Sequence, residues 1–264
     1  MFESMTATEW MGVIGAAAWT PHLWLLIKKI VEKPSIQIIT SQNVELGYTI
    51  LGPIFNFHLA FAIQNKDIVA TSLQVRIIHE DGDKKVFQWK AVQQNLMEVS
   101  APDGSILPYK KQNSVLAIKL NQKNIEERFV QFQLPPFEAQ KDQHEREVLD
   151  FISFEQAKDN FSTSTTMESK EMQNLISYIK QQFSWKAGRY SVEIEITSDE
   201  AFTVTGDRYE FLLSPQDISK LEANKELIEQ HYRTAVFLDH EQGQDENATF
   251  PKWNWVNPTL KQIK

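Results

Sequence analysis

The sequence contains no cysteine, and this absence excludes disulfide bonds, thiolate metal sites and cysteine nucleophiles together. Glycine is also scarce, with 9 residues in a chain of 264, and they form neither a P-loop nor a Gly-x-Gly-x-x-Gly turn. No serine lies in a Gly-x-Ser-x-Gly elbow of the kind that α/β-hydrolases use. The chain therefore carries no sequence motif for nucleotide binding or for the common nucleophilic mechanisms.

Positive charge is in short supply and is dispersed. The net charge is -8, and the arginines stand far apart, at Arg76, Arg128, Arg146, Arg189, Arg208 and Arg233. A nucleic-acid-binding surface needs clustered Lys and Arg side chains, and an acidic body repels phosphate groups. We therefore expect no nucleic-acid partner.

The sequence offers only weak candidate residues for metal binding or for acid–base catalysis. No two histidines lie three or four positions apart, so the sequence lacks a helical metal pair. The acidic segment 79–83 has the composition of a cation site, but its Asp81-Gly82 step equally predicts a plain hairpin turn, which we favour. Glu193 and Glu195 point outward on a predicted strand. We expect no cofactor and no metal, and we favour a binding protein over an enzyme, although folding can still bring two carboxylates together.

The most apolar part of the chain is residues 10–27, which carry no formal charge. As a helix rising about 1.5 Å per residue, this stretch spans roughly 27 Å, close to the hydrocarbon thickness of a bilayer. Lysines follow it at once, and the positive-inside tendency then places the large domain in the cytoplasm. We predict a single-pass membrane anchor over residues 1–33, with the contact residues Trp10, Val13, Ile14, Trp19, Leu23, Trp24, Leu26, Ile27, Lys28 and Lys29.

Three other interpretations of this segment stay open. A cleaved signal peptide normally begins with basic residues, whereas this chain begins with an acidic leader. The polar interruption Thr20-Pro21-His22 is typical of a helix that lies in the membrane interface instead of crossing it. A helix buried inside the protein, or against a partner, would have the same composition.

Residues 34–214 show the alternation of apolar and polar side chains that predicts β-strands. Alternate residues are apolar in segments 55–63 and 69–77, and the turn residues 65–67 between them predict two adjacent antiparallel strands. Asp81-Gly82 predicts a hairpin into the next strand. The highly charged stretch 138–150 is interpreted as a solvated loop or a short helix.

Two segments change to helical periodicity. Residues 165–183 carry one apolar stripe, and Thr165 with Glu168 predicts a capping box at the start of this helix. Ser214 and Pro215 predict the beginning of a C-terminal helix, which with a polar tail forms the third region, 215–264. We find no internal repeat.

The segment from Trp185 to Glu200 resembles the closing strands of immunoglobulin-like and fibronectin-like modules. Its Gly188-Arg189-Tyr190 step enters a strand whose apolar residues alternate strictly with polar ones, as in those modules. The resemblance implies a mainly β (α+β) fold: an immunoglobulin-like β-sandwich with an inserted helix at 165–183, a C-terminal helix and an N-terminal transmembrane helix. The Cys-Trp-Cys framework of antibody domains is absent, and the resemblance transfers no functional residue.

These features favour a membrane-tethered, non-enzymatic β-sandwich that binds or scaffolds another protein. Its partners are then membrane lipid, through the N-terminal helix, and a further protein. Trp253 and Trp255 are candidate partner contacts, because tryptophans in a hydrophilic tail are costly to expose unless they fold back. One alternative is a hydrolase or lipid-modifying enzyme at the membrane surface. Another is a subunit of a larger membrane complex, packed through Gly12, Gly15 and the alanines 16–18.

Overall fold

The computed structural model describes residues 7–100, 106–114, 116–158, 162–240 and 249–263. The helices are α1 (Ala7–Val31), α2 (Pro135–Gln156), α3 (Thr163–Glu168), α4 (Lys170–Gln181), α5 (Pro215–Glu222) and α6 (Asn224–His240). The strands are β1 (Ser35–Thr40), β2 (Glu45–Thr49), β3 (Gly52–Gln64), β4 (Ile68–Ala70), β5 (Ser72–His79), β6 (Lys84–Ser100), β7 (Ile106–Ser114), β8 (Ile118–Leu120), β9 (Glu126–Gln133), β10 (Gly188–Thr197), β11 (Thr203–Thr205), β12 (Arg208–Leu213), β13 (Trp255–Val256) and β14 (Lys261–Gln262).

The fold is mixed α+β and is built on one large curled sheet. Its main path runs β11-β1-β3-β9-β6-β5-β10-β12-β14, with β2, β13 and β7 attached beside it, while β4 and β8 form a separate pair. The predicted immunoglobulin-like sandwich is wrong, because the strands lie in one curled sheet and not in two facing sheets. Helix accounts for 37% of the structure and strand for 38%, so the α+β class is confirmed but strand does not predominate.

Two of the predicted strands are present, but their predicted pairing with each other is wrong. β3 and β5 carry the predicted alternation, yet they are not neighbours, because β9 and β6 lie between them. The turn at 65–67 leads instead into the short β4, which pairs with β8. The Asp81-Gly82 hairpin is confirmed: β5 and β6 pair antiparallel, and Gly82 takes a φ of 91° that suits glycine. The residues of the turn therefore predicted strand pairing better than the closeness of two strands in the sequence did.

The concave core of the sheet is aromatic. Alternation in β3 buries Phe55, Phe57, Leu59 and Phe61, each no more than 2% exposed. The Phe55 and Phe57 rings meet edge to face with centroids 5.2 Å apart, and Phe132 of β9 lies 5.6 Å from Phe57. Burying one such side chain stabilises the fold by about 1.5–3 kcal/mol, so this face fixes the register of the sheet.

Helices α2 to α6 gather at one end of the sheet, called here the helical end. β9 runs directly into α2, and β12 runs directly into α5. Tyr48 joins sheet to helices: its hydroxyl donates to the Ile179 carbonyl, and its own carbonyl accepts from Asn224 Nδ2 at 2.8 Å. Burial raises the pKa of Tyr48 far above its ordinary value, so its hydroxyl keeps the proton that this bond requires.

The helical end differs from the sequence-based expectation in two places. Residues 138–150 belong to the long helix α2, because Phe137, Val148 and Ile152 bury one side of it against α4 despite the charged residues between them. The predicted Thr165–Glu168 capping box is wrong, because Ser162 caps α3 and Ser169 begins α4 as a separate helix. The predicted start at Ser214 is confirmed, with a capping box formed by Asp217.

The opposite end of the sheet, called here the α1 end, is where α1 joins β1. β1 and β9 run away from this end, while β3 and β6 run towards it. β6 extends beyond its last pairing with β9 at Gln93 and continues with β7 alone as a two-stranded arm. The structure therefore separates a helix-covered end from an end that bears α1 and the β6–β7 arm.

Candidate functional site

α1 is the one long helix of the described residues whose apolar side chains belong to neither hydrophobic cluster. The large apolar residues of α1 whose side chains are described are between 52% and 71% exposed: Met11, Trp19, Leu23, Trp24, Leu25, Leu26, Ile27 and Val31. Residues 23–27 are consecutive, and at 3.6 residues per turn five consecutive positions cover the whole circumference. α1 is thus apolar all round, a pattern that soluble helices show only when they are enclosed.

The predicted anchor residues lie on α1, but the predicted membrane span is wrong. Among the residues that the structure describes, no helix combines the length and the apolar character needed to cross a membrane. The polar block Thr20-Pro21-His22 interrupts the apolar sequence at the centre of α1 and lowers its mean hydropathy. The single-pass localisation with a cytoplasmic domain is contradicted with it. The side chains of Trp10, Val13, Ile14 and Lys29 lie outside the described part.

The residues that follow α1 are held to the sheet by two hydrogen bonds to backbone carbonyls. Asn65 Nδ2 donates to the Lys33 carbonyl at 3.1 Å, and the Thr203 amide donates to the Pro34 carbonyl at 3.0 Å. Asn65 takes a φ of 73°, which asparagine tolerates better than most residues. Lys28 and Glu32 form an exposed ion pair at 3.6 Å on the last turn. The connection between helix and sheet is therefore short and defined.

The β6–β7 arm leaves the sheet at the same end as α1. Its backbone pairing runs from Ala91–Ser114 to Ser100–Ile106. Among the described strands β7 pairs only with β6, so the arm has free backbone edges of the kind on which a further strand adds.

Trp253 and Trp255, the candidate partner contacts, fold back onto the body. Trp255 pairs with Gly47 across β13 and β2, and its ring occupies the space that a Cβ on Gly47 would need. The Trp253 ring lies 5.8 Å from the His231 ring. Asn224 holds this segment by donating to the Asn254 carbonyl and accepting from its amide, both at 2.8 Å. Both tryptophans are partly buried, so the tail closes the sheet next to the helices.

The acidic turn at 79–83 is held by cations of the chain itself. Lys186 lies 2.7 Å from Asp81 and 3.5 Å from Asp83, and Lys85 lies 2.8 Å from Asp83. The hydrogen bond from Lys186 holds the pKa of the Asp81 carboxyl well below its usual range. Within the described part of the chain no cluster of three or more His, Asp or Glu side chains could hold a metal ion. The acidic side chains of this turn therefore form ion pairs within the chain that hold the hairpin in place.

Sequence reasoning missed one cluster of titratable groups, which lies between α2 and α6. Glu145 accepts from Lys141 Nζ at 2.8 Å and from the Tyr232 hydroxyl at 3.0 Å. Burial raises the pKa of Tyr232 far above its ordinary value, and the neighbouring Glu145 carboxylate adds to the shift. The carboxylate and the hydroxyl are thus hydrogen-bonded to each other, and Tyr232 keeps its proton at neutral pH. The i,i+4 spacing of Lys141 and Glu145 was the available sequence indication.

Comparison with known proteins gives no relative for this arrangement. No protein-family model, no curated protein and no solved structure matches the chain. The functional argument therefore depends on the geometry of the chain alone, and α1 is its most distinctive part.

Proposed function

We propose that this protein is a non-enzymatic binding or scaffold module, and that α1 is the element that it inserts into another protein. The observation that carries the proposal is the exposure of apolar side chains all around this one helix. Exposed apolar patches of this size mark interaction sites in soluble proteins. The membrane-bound form of this hypothesis is withdrawn, because its anchor is contradicted.

The distribution of side chains on α1 defines the chemistry of its partner. A flat surface would cover one side of the helix and leave the others in water, so the partner must enclose it, as a groove between apolar helices does. Trp19 and Trp24 are the strongest candidate anchors, at 66% and 67% exposed, because tryptophan is enriched among residues that dominate binding energy. A Cβ added to Gly12 or Gly15 would meet no described atom within 4 Å, so a partner helix can approach closely there.

The energy available from this helix is sufficient for specific binding. Full burial of a large apolar side chain contributes about 1.5–3 kcal/mol, and α1 offers several such side chains. Part of that energy is offset by lost translational and rotational freedom, on the order of 4–15 kcal/mol. A partner that encloses most of α1 therefore leaves a larger net gain than a partner that contacts a single side of it. The free edges of the β6–β7 arm can add backbone hydrogen bonds to the same partner.

The experiment begins with photo-crosslinking in cells of the source organism. A benzophenone amino acid replaces Trp24 on α1 or, as a matched control, Leu212 on β12, which is 64% exposed. We expect the Trp24 position to form a crosslink to one helical protein in good yield, and the Leu212 position to give none to that protein.

The captured protein is then purified and its binding measured by calorimetry. A variant with Leu23→Ser, Leu26→Ser and Ile27→Ser should bind at least 100-fold more weakly, while Leu212→Ser should bind as the wild type does. Since these α1 side chains are exposed, the thermal unfolding midpoint should stay unchanged in both variants. Unaltered affinity of the triple variant, or crosslinks from Trp24 to lipid alone, would reject the proposal.

A further inference from the structure

A cavity of about 260 Å³ lies between α2, α4 and α6, away from α1 and independent of its proposed role. Its walls are apolar side chains that core packing already fixes, each no more than 6% exposed: Val148, Ile152, Met172, Leu175 and Val236. Leu149, which is 58% exposed, stands at its mouth. Since a pocket with apolar walls and a few convergent polar groups is the usual form of a small-molecule site, its polar end decides the ligand class.

The polar end of the cavity is formed by Glu145 and Tyr232. The Glu145 carboxylate is one-third exposed, and it accepts from Lys141 on one oxygen and from Tyr232 on the other. An ionised carboxylate has about four acceptor positions, so two remain for a donor that enters the cavity. Lys141 is 7% exposed and its charge balances that of Glu145, so this end of the cavity carries a polar acceptor with little net charge.

We propose that this cavity binds a neutral aliphatic alcohol, with the chain between the three helices and the hydroxyl donating to Glu145. The charges of Lys141 and Glu145 already balance each other, so a carboxylate or ammonium head group would lose water without gaining a counter-charge, and both charged forms are disfavoured. A hydroxyl donates one hydrogen bond and leaves the ion pair intact. On the scale at which a 150 Å³ apolar cavity admits benzene, 260 Å³ holds roughly ten non-hydrogen atoms, about the size of 1-octanol.

The test uses the full-length protein with ¹³C-labelled methionine methyl groups and 1-octanol as the probe. Met172 lines the cavity, Met167 is buried in the same hydrophobic cluster outside the lining, and Met11 lies exposed on α1. We expect the Met172 methyl resonance to shift saturably with 1-octanol. Octanoate and octylammonium should need at least tenfold higher concentrations for the same shift. The Met11 resonance serves as the reporter of unspecific adhesion to the apolar helix.

A matched pair of variants locates the site. Ala235→Leu places a larger side chain in the cavity lining and should weaken 1-octanol binding at least tenfold, whereas Ala139→Leu on the exposed side of α2 should not alter it. An unchanged Met167 resonance shows that each variant is folded. The proposal is overturned if Met172 does not shift up to the solubility limit of 1-octanol. It is equally overturned if the three head groups bind alike, or if Met11 and Met172 respond together.

Discussion

The helices at the two ends of the sheet differ in how far their apolar side chains are exposed. At the helical end, α4 presents one apolar stripe, and Met172, Leu175, Ile176 and Ile179 on that stripe are buried against neighbouring helices. At the α1 end, a longer helix exposes apolar side chains on every side. An amphipathic helix can be satisfied by one surface of its own chain, but an apolar cylinder needs an enclosure. The difference teaches that apolar content alone does not tell whether a helix packs inside its own molecule.

The largest expected effect comes from comparing the same substitution at the two ends. Ile179→Ala on α4 removes a fully buried side chain and should lower the free energy of unfolding by about 2–5 kcal/mol. Ile27→Ala on α1, where the residue is 52% exposed, should change it by less than about 0.5 kcal/mol. Urea unfolding of the isolated protein measures both values. Similar losses in the two variants would mean that α1 is packed in solution, and the comparison would fail.

The second effect concerns the tail that closes the sheet beside the helical end. Gly47→Ala places a methyl group where the Trp255 ring lies, so either β13 shifts or the ring turns, at a cost of about 1–3 kcal/mol. Combining it with Trp255→Ala should remove most of the additional loss, because the clash is then absent. A double-mutant cycle of unfolding free energies provides the measurement. Strict additivity of the two changes would contradict this contact.

A third, smaller effect is expected at the start of α5. The Ser214 hydroxyl accepts from the Asp217 amide at 3.2 Å, so Ser214→Ala should cost about 0.5–2 kcal/mol. Ser219→Ala in the same helix is the control, since its exposed hydroxyl caps no helix and alanine favours helix formation. Thermal unfolding should separate the two variants clearly. Equal midpoints would show that the capping box does not stabilise the helical end.

The smallest effect is a pH dependence from His231, where the tail meets α6. Burial lowers the pKa of His231 below its ordinary value of about 6.5, so the unfolded chain takes up its proton first as the pH falls. The two states bind the same number of protons from this group above that value, and folding loses stability below it. His231→Phe keeps the ring contacts with Phe250 and Trp253 and should flatten this part of the profile between pH 7 and pH 5. Parallel profiles for wild type and variant would contradict the shift.

Local elements of this fold follow from the sequence, while its long-range pairings do not. The alternation in β3 and β10, the turn at Asp81-Gly82 and the cap at Ser214 each depend on neighbouring residues, and each is confirmed. The pairing of β3 with β9 joins segments far apart in the chain, and no local pattern encodes it. For α2 the sequence left a loop or a short helix open, because its buried residues are separated by many charges and its apolar stripe is narrow.

The candidate sites were predictable to a different degree. The apolar character of α1 is plain in the sequence, but the membrane span predicted from it is wrong. The exposure of Trp253 and Trp255 depended on where the tail goes, and the space that the Trp255 ring fills is provided by Gly47, which lies far away in the sequence. The cavity of Glu145 and Tyr232 combines three helices that meet only after folding, so its existence had no sequence pattern of its own.

The attachment of α1 also has a mechanical consequence. α1 is continuous with β1, which is paired to β3 from Ser35–Gln64 to Thr40–Leu59 and flanked on its other edge by β11. A force that pulls α1 along the direction of β1 would load the hydrogen bonds between β1 and β3 in shear. These hydrogen bonds must then break together and not one after another. Tension on α1 would therefore reach the interior of the sheet, and several hydrogen bonds would have to break at once before β1 separates from β3.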